Sequence, residues 1–313
     1  MNKKHKDEIT KMTLENILFD EPLSKYTTFG IGGPASCLFY PKNIDELQTL
    51  LIYSKKHNLE VIFIGSGSNL LISDSGFDGI VISLRKTFKE ISIKPNSIIK
   101  VSSGVMLGTM VKQAINKNII GLESLVGVPG TVGGALIMNA GAFGGEISTY
   151  FHKAKTIDLY GNIKIYHKGD IQFSYRSSTF PIDEILIEAT FKCNKGKKDQ
   201  IMIDKLVASK ARKSTQPLKY RSAGSIFKNP SSKLAAGYLI DKAGLKGINK
   251  GDALISEKHA NFIVNLGNAT ASDVFDLILL AKKKVAEKFN INLELEIKLI
   301  GFPKDLNKTN YYA

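Results

Sequence analysis

The sequence predicts an α+β protein of two or three domains, and three observations carry that reading. The chain has 313 residues, more than one core usually organises. Apolar positions follow helical spacing in some segments and strict alternation in others, with a β-rich region from about 156 to 193 and a mixed helix–strand region after 217. Between the N-terminal elements and that β-rich region lies GLESLVGVPGTVGGALIMNAGAFGG, residues 121–145, where glycine recurs too often for a strand.

Composition narrows the function classes. The apolar fraction of 43% is ordinary for a globular protein, and no run approaches the roughly 18 apolar residues of a membrane helix. The start, MNKKHKDEITKM, is basic with no apolar region behind it, so it does not read as a secretory signal. Cys37 and Cys193 are far apart and outside metal-ligand spacing, which suits a reducing cytoplasm, two inert core thiols and no metal. The net charge of +14 favours acidic partners, but the lysines are dispersed, without the aromatic interleaving of a nucleic-acid surface. Arginine is rare, only Arg85, Arg176, Arg212 and Arg221, so each marks a place where a bidentate fork matters.

Taken in order, residues 1–22 read as an amphipathic leader with Ile9, Met12, Leu14, Ile17 and Leu18 on its apolar side. A glycine-rich turn at 30–34 leads into a strand over 35–40. Asn43 caps a helix over 44–57, with Glu46 as its capping-box partner and Leu47, Leu50 and Leu51 facing inward. A strand over 60–64 runs into Gly65-Ser66-Gly67-Ser68-Asn69-Leu70, a turn rich in backbone donors and hydroxyls. It lacks both the Rossmann spacing and the Gly-Lys-Ser/Thr of a P-loop. Coupled to 121–145 it is a candidate pyrophosphate cradle; taken singly, each segment also has a reading as a packing turn. Strands over 80–84, 91–93 and 98–102 and a helix over 107–116 follow. Segments 156–160 and 163–166 flank Gly161-Asn162 as a hairpin, and 185–193 is another strand. FSYRSSTF, 173–180, is a polar patch or an edge turn. A helix over 201–214 ends in ARKST. The last region reads as a helix over 233–243, strands over 253–255 and 262–265, a helix over 272–289 capped by Thr270, and a strand over 293–300. In that strand Glu294, Glu296 and Lys298 share one face, which by alternation alone is a solvated face. Residues 304–313 read as a loose tail.

TTFGIGGPA, GSGSNLLISDSGFDGIVI, GVPGTVGGALIMNAGAFGGE, YRSSTF, STQP, AGSIFKNP, LIDKAGLKG and LELEIKLIG occur in this order across 27–301. Together they closely resemble the UDP-N-acetylenolpyruvoylglucosamine reductase (UDP-N-acetylmuramate dehydrogenase) family. The short spacing from Arg176 to Arg212 is similar to the compact subtype, which lacks an extra loop carrying a substrate-covering tyrosine. The resemblance implies a vanillyl-alcohol-oxidase-like (PCMH-type) FAD-binding domain in two α/β lobes, and a C-terminal α+β substrate-binding domain. On this chain those fall at 1–22 for the leader, 23–200 for the FAD domain with lobes at about 23–85 and 86–200, 201–303 for the substrate domain, and 304–313 for the tail.

It further implies noncovalent FAD, NADPH as co-substrate, and a small UDP-linked enolpyruvyl sugar, with no nucleic acid, membrane or obligate protein partner. Reducing an enol ether of pyruvate places negative charge beside a carboxylate, so the site needs a hydride source, cationic or hydrogen-donating groups, and an acid. By resemblance, Arg176 pairs with the carboxylate, Ser225 donates the proton, and Glu296 orients Ser225 or a water, or stabilises the intermediate. FAD binding carries over to Gly65, Ser66, Gly67, Ser68, Asn69, Leu70, Gly130, Thr131, Gly133, Gly134, Asn139, Gly141 and Ala142, with Tyr26 and Thr28 as weaker candidates. Substrate binding carries over to Tyr175, Arg212, Gln216, Lys228, Asn229, Lys242 and His259. Two other readings are an FAD-dependent oxidase of the same fold and a noncatalytic UDP-sugar-binding protein.

Overall fold

Helix α1 (Lys3–Lys11) starts where the Asn2 side chain accepts from the His5 N–H, and it buries Ile9. The computed structural model describes residues 1–12 and 16–303. Leu14 of the expected leader and the expected tail lie outside the described residues. The leader itself does not continue as one amphipathic segment: Ile17–Pro22 is a strand, and Leu18 points outward. That strand is the edge of a four-stranded sheet, followed by Pro34–Phe39, Phe77–Ile82 and Val61–Phe63, the last two parallel. Helix α2 (Ile44–Lys56) is capped by Asn43, whose side chain accepts from the Glu46 N–H. Glu46 returns its carboxylate to the Lys42 N–H, one residue before the position a capping box uses. Leu47, Leu50 and Leu51 of α2 join Ile9, Phe39, Ile80 and Ile82 in one apolar cluster.

A second, antiparallel sheet runs Ile163–His167, Phe151–Asp158, Glu184–Lys192, Ile98–Ser102, Ile91–Ile93. The hairpin at Gly161-Asn162 forms as its turn residues predict: Gly161 has φ +85°, and the Asp158 carboxylate accepts from the Tyr160 and Asn162 N–H groups. Its first strand begins earlier than the sequence suggests, at Phe151. Helix α3 (Leu107–Asn116) packs Leu107, Met110, Val111 and Ala114 into the core of this sheet. A short helix that the sequence reading does not foresee, α4 (Val132–Ile137), lies inside the glycine-rich stretch. Two glycines in six residues disfavour a helix by about 1 kcal/mol each. The Thr131 cap and the packing of Val132, Ala135 and Leu136 overcome that. Helix α5 (Lys198–Thr215) is one turn longer at its start than expected.

The remaining core gathers Phe29, Ile31 and Leu71 with the C-terminal elements. Helix α6 (Ala236–Lys242) is shorter than the spacing suggests. Strands Asn249–Lys250, Ala253–Ile255 and Ile263–Asn265 form a small antiparallel sheet. Helix α7 (Ala271–Phe289) opens with a full capping box between Thr270 and Asp273. Asp74 adds a second cap, its two oxygens accepting from the Ala271 and Ser272 N–H groups at 2.7 and 3.0 Å. The C-terminal strand Lys298–Ile300 pairs in parallel with Leu70–Ile72, directly after the Gly-Ser loop. Residues 293–297 alternate in burial, but the chain bends at Glu296 and Ile297 and a regular ladder forms only over Lys298–Ile300.

The chain divides into two compact units that interleave in sequence. The first comprises Met1–Phe19, Ser36–Ser66 and Gly79–Arg212; the second comprises Asp20–Ala35, Gly67–Asp78 and the residues from Lys213 onward. The lobe expected at 23–85 is therefore split, because 70–72 finds its strand partner at 298–300.

Candidate active site

In the second unit, Ser225 stands at the start of a segment held on both edges. The buried Asn261 side chain accepts from the Phe227 N–H and donates to the Phe227 carbonyl, at 2.9 and 2.8 Å, and its own carbonyl accepts from Ile226. On the other edge Glu296 N–H donates to Ile226 O and Lys228 N–H donates to Glu294 O, both at 2.8 Å. The Asn69 amide then donates to Glu296 O at 3.0 Å, and Asn69 O accepts from Lys298 N–H. Ser225 and Glu296 are thus brought to neighbouring strands whose backbones are bonded, and Asn69 fixes Glu296 from the opposite edge. Asn261 carries no motif that announces this role; its signal is a polar residue at a position that folds into the core.

Before Ser225 the chain bends at Gly224, φ +77°. Lys228 pairs with Glu294 at 2.6 Å. Lys298 on the adjacent strand is pushed down to about 8, first by burial and then by the Lys228 charge. Asn229 is exposed, and its side chain accepts from the Ala236 N–H at the start of α6. His259 lies against Gly237 and the Phe262 ring. Its Nδ1 accepts from the Asn261 N–H, and burial lowers its pKa. Lys242 is exposed at the end of α6, beside Tyr238. Gln216 is half-buried just after α5. Gly67, at φ +64°, lies so close to Tyr26 and Thr27 that a Cβ would strike the Tyr26 carbonyl. Its own carbonyl accepts from Thr28 N–H, and the Thr28 hydroxyl donates to Ser222 O at 2.7 Å. Leu70 begins the strand that follows, and Ser68 is half-buried beside it.

In the first unit, Gly65 abuts Thr131, so the two glycine segments meet there. Ser66 is buried next to Gly65. Thr131 caps α4 through the Gly134 N–H, while Val132 and Gly133 donate to the Val105 and Ser103 carbonyls. Among the described residues, the N–H groups of Gly65, Gly130 and Thr131 meet no acceptor, and in the second unit the same holds for Gly67 and Asn69. Tyr175 and Arg176 form the tip of a hairpin between Phe173–Ser174 and Ser177–Ser178. Three bonds tie that hairpin to 137–141: Ser178 Oγ to Ile137 O, Asn139 Nδ2 to Ser174 O, and Arg176 Nη2 to Gly141 O, at 2.7 to 3.0 Å. Arg176 has φ +56°, strained for a residue with a Cβ, and its guanidinium lies 5.0 Å from the Tyr175 ring. Arg212 rests on Gly127, where burial lowers its pKa without removing its charge. Gly141 and Ala142 pair with Glu146 and Gly145 in a short hairpin.

Asn139 is fully buried at φ +43°, and both its amide hydrogens go to acceptors, Glu146 Oε2 and Ser174 O. That fixes the amide orientation and leaves its Oδ1 without a donor among the described residues. A buried acceptor of this kind, with open N–H groups on segments that a Cβ would fill, fits a heterocycle with ring N–H groups and a pyrophosphate, as FAD has. The structure leaves a flavin dinucleotide donors and acceptors to meet.

The comparisons with known proteins agree in both halves of the sequence. A family model described as FAD binding domain matches residues 35–165, and one for the UDP-N-acetylenolpyruvoylglucosamine reductase C-terminal domain matches 216–300. The UDP-N-acetylenolpyruvoylglucosamine reductase of Clostridium kluyveri is 41% identical over 93% of this chain and 95% of its own length. That of Syntrophus aciditrophicus is 39% identical over 95% of this chain and 96% of its own. A solved structure of the Thermus caldophilus UDP-N-acetylenolpyruvylglucosamine reductase superposes with a TM-score of 0.78 at 36% identity, covering 91% of this chain and 98% of that one.

Proposed function

The chain belongs to the UDP-N-acetylenolpyruvoylglucosamine reductase family, and on that premise we propose how its own residues carry the reaction. It is an FAD-dependent oxidoreductase that uses NADPH to reduce the enolpyruvyl ether of UDP-N-acetylglucosamine to UDP-N-acetylmuramate, a peptidoglycan precursor. Bound FAD supplies the hydride chemistry that no side chain can. The residues that would hold it are Gly65–Leu70 with Gly130, Thr131, Gly133, Gly134, Asn139, Gly141 and Ala142, and Asn139 Oδ1 would be the buried acceptor for a ring N–H.

Hydride arrives at the terminal carbon of the enolpyruvyl group, and charge develops beside the carboxylate. Arg176 pairs its fork with that carboxylate, and the strain at its φ of +56° is what a turn tolerates to present it. Ser225 donates the proton to the adjacent carbon; a neutral hydroxyl approaches an anionic intermediate without electrostatic penalty. Glu296 acts on Ser225, on a water or on the intermediate from the neighbouring strand. Lys228 and Lys298 supply positive charge for the sugar nucleotide, and Arg212, Gln216, Asn229, Lys242, His259 and Tyr175 complete the substrate set. The observation that carries this reading is the double clamp on Ile226–Lys228. It makes the position of Ser225 relative to the Glu296 backbone a property of the fold rather than of the substrate.

On this reading the protein works on a small molecule in the cytoplasm, and two free, buried cysteines, with thiols pushed up to about 12 by burial, are consistent with a reducing compartment. Among the described residues no helix is long and apolar enough to cross a membrane. The test is an anaerobic visible spectrum. NADPH bleaches the oxidised-flavin band and the UDP-linked enolpyruvyl sugar restores it. Ser225→Ala leaves the bleaching intact and slows the restoration by about 10² to 10⁴-fold. Restoration by oxygen alone points to an oxidase, and a Ser225→Ala protein that restores at the wild-type rate removes Ser225 from the proton step.

A further inference from the structure

Away from the flavin and sugar segments, the N-terminal helix carries a cluster with no part in the reaction. His5 and Glu8 lie one turn apart on α1, and His57 is the C-cap of α2. One ligand atom from each of the three lies within 4.8 Å of the other two. Apolar packing already sets the two helices together, because Ile9 of α1 is buried in the same cluster as Leu47, Leu50, Leu51 and Tyr53 of α2. The three side chains are half-buried, so a cation there is shielded yet reachable.

We propose that His5, Glu8 and His57 form a site for a divalent d-block cation, with Zn²⁺ as its representative, that fastens α1 to the end of α2. Two imidazoles and one carboxylate suit zinc, cobalt or nickel and do not suit calcium or magnesium, which prefer oxygen throughout. His5 Nδ1 and Glu8 Oε2 are 4.0 Å apart. Two ligands at about 2.1 Å from a tetrahedral zinc are about 3.4 Å apart, so this pair closes by a few tenths of an ångström from each side chain, and His57, within 4.8 Å of both, closes by about 1.4 Å at most.

The outer partners are also in place. Tyr53 donates to Glu8 Oε2 at 2.6 Å and lies 2.8 Å from His5 Nδ1. Since its one proton goes to Glu8, His5 Nδ1 carries a hydrogen in this arrangement. Cation binding moves that proton to Nε2 or to solvent, and Glu8 Oε2 goes on accepting from Tyr53 while it ligates. The rings of Tyr53 and His57 lie 4.3 Å apart, tilted by 39°, a contact that restrains the third ligand. Cys37 and Cys193 are both buried, and burial raises their thiols to about 12, which disfavours the thiolate a cation would take.

The experiment uses the untagged, flavin-containing protein, stripped with a chelator and titrated calorimetrically with Zn²⁺, then with Co²⁺ while the difference spectrum is followed. One equivalent binds, the Co²⁺ form shows tetrahedral d–d bands, and Zn²⁺ raises the melting temperature. His57→Ala and Glu8→Gln weaken binding by at least about tenfold while leaving flavin reduction by NADPH unchanged. Glu8→Gln keeps an acceptor for Tyr53, so its melting temperature without metal stays near wild type and separates lost ligation from lost folding. His152→Ala, in the other histidine pair at 6.3 Å, leaves binding intact. The proposal is overturned if no stoichiometric binding occurs, if binding survives His57→Ala, or if His152→Ala abolishes it.

Discussion

The two glycine segments, 65–69 and 130–134, look alike in sequence and are used differently. In the first, the N–H groups of Gly65, Gly67 and Asn69 meet no acceptor among the described residues. In the second, only Gly130 and Thr131 are left so, while Val132, Gly133 and Gly134 donate to Val105 O, Ser103 O and Thr131 Oγ1. The first segment is donor-rich because its glycines turn the chain without giving its amides partners. The second holds Gly133 where a neighbour comes close: a Cβ there would lie 2.9 Å from the Ser103 Cβ and 3.3 Å from the Ser103 carbonyl oxygen. Glycine content therefore identifies close approach, and only the fate of each N–H tells whether the neighbour is a ligand or the protein itself.

The largest effect expected from this contrast is at Gly67. Alanine there must adopt φ +64° and place its Cβ on the Tyr26 carbonyl and 2.7 Å from Thr27 Cα. Backbone cannot swing aside as a side-chain tip can, so Gly67→Ala costs about 3 kcal/mol and disturbs the open donors together. Thermal melts and the ratio of flavin to protein absorbance check this: the variant melts early and purifies without flavin. A stable variant with full flavin content would show that the loop is a packing turn.

Gly133→Ala is the opposite case and a smaller one. Its Cβ presses on Ser103, costing on the order of 2 kcal/mol. Replacing glycine inside α4 returns about 1 kcal/mol of helix propensity. The net loss is about 1 kcal/mol, with flavin content unchanged, because the Gly133 N–H is already bonded to Ser103 O. Flavin loss out of proportion to the drop in melting temperature would place Gly133 among the donors after all.

The same contrast explains what the sequence could reveal. Elements whose signals are local were legible: α3 falls at 107–116, Thr270 caps α7, and Leu293, Leu295, Ile297 and Leu299 are buried in alternation. α4 was not, because two glycines hide a helix that tertiary packing and one threonine cap hold in place. Nor was the interleaving of the units, which depends on Leu70–Ile72 pairing with a strand more than 200 residues away. The motifs pointed to Ser225 and Glu296 but not to Asn261, and they gave Asn69 to the cofactor rather than to the Glu296 backbone that its amide bonds. An asparagine's role depends on what lies across from it, and that is fixed only in three dimensions.

Gly108 gives the smallest effect and reverses the sign. It lies in the first turn of α3, exposed, and a Cβ there would meet nothing within 4 Å. Its backbone is helical, with neither the left-handed φ of Gly67 nor the close neighbour of Gly133. Without a close approach or an open donor to protect, only the entropy of the unfolded chain and the helix propensity remain, and both favour alanine. Gly108→Ala therefore stabilises the protein by about 0.5 kcal/mol, since the first turn gains less than a helix interior. Urea unfolding followed at a helix-sensitive wavelength resolves it as a higher midpoint at constant slope. Flavin content and NADPH bleaching stay as in wild type. A destabilised Gly108→Ala would mean that some contact keeps this position small. The three glycines would then differ in degree, and the division between donor-presenting, close-packed and incidental glycines would fail at its simplest member.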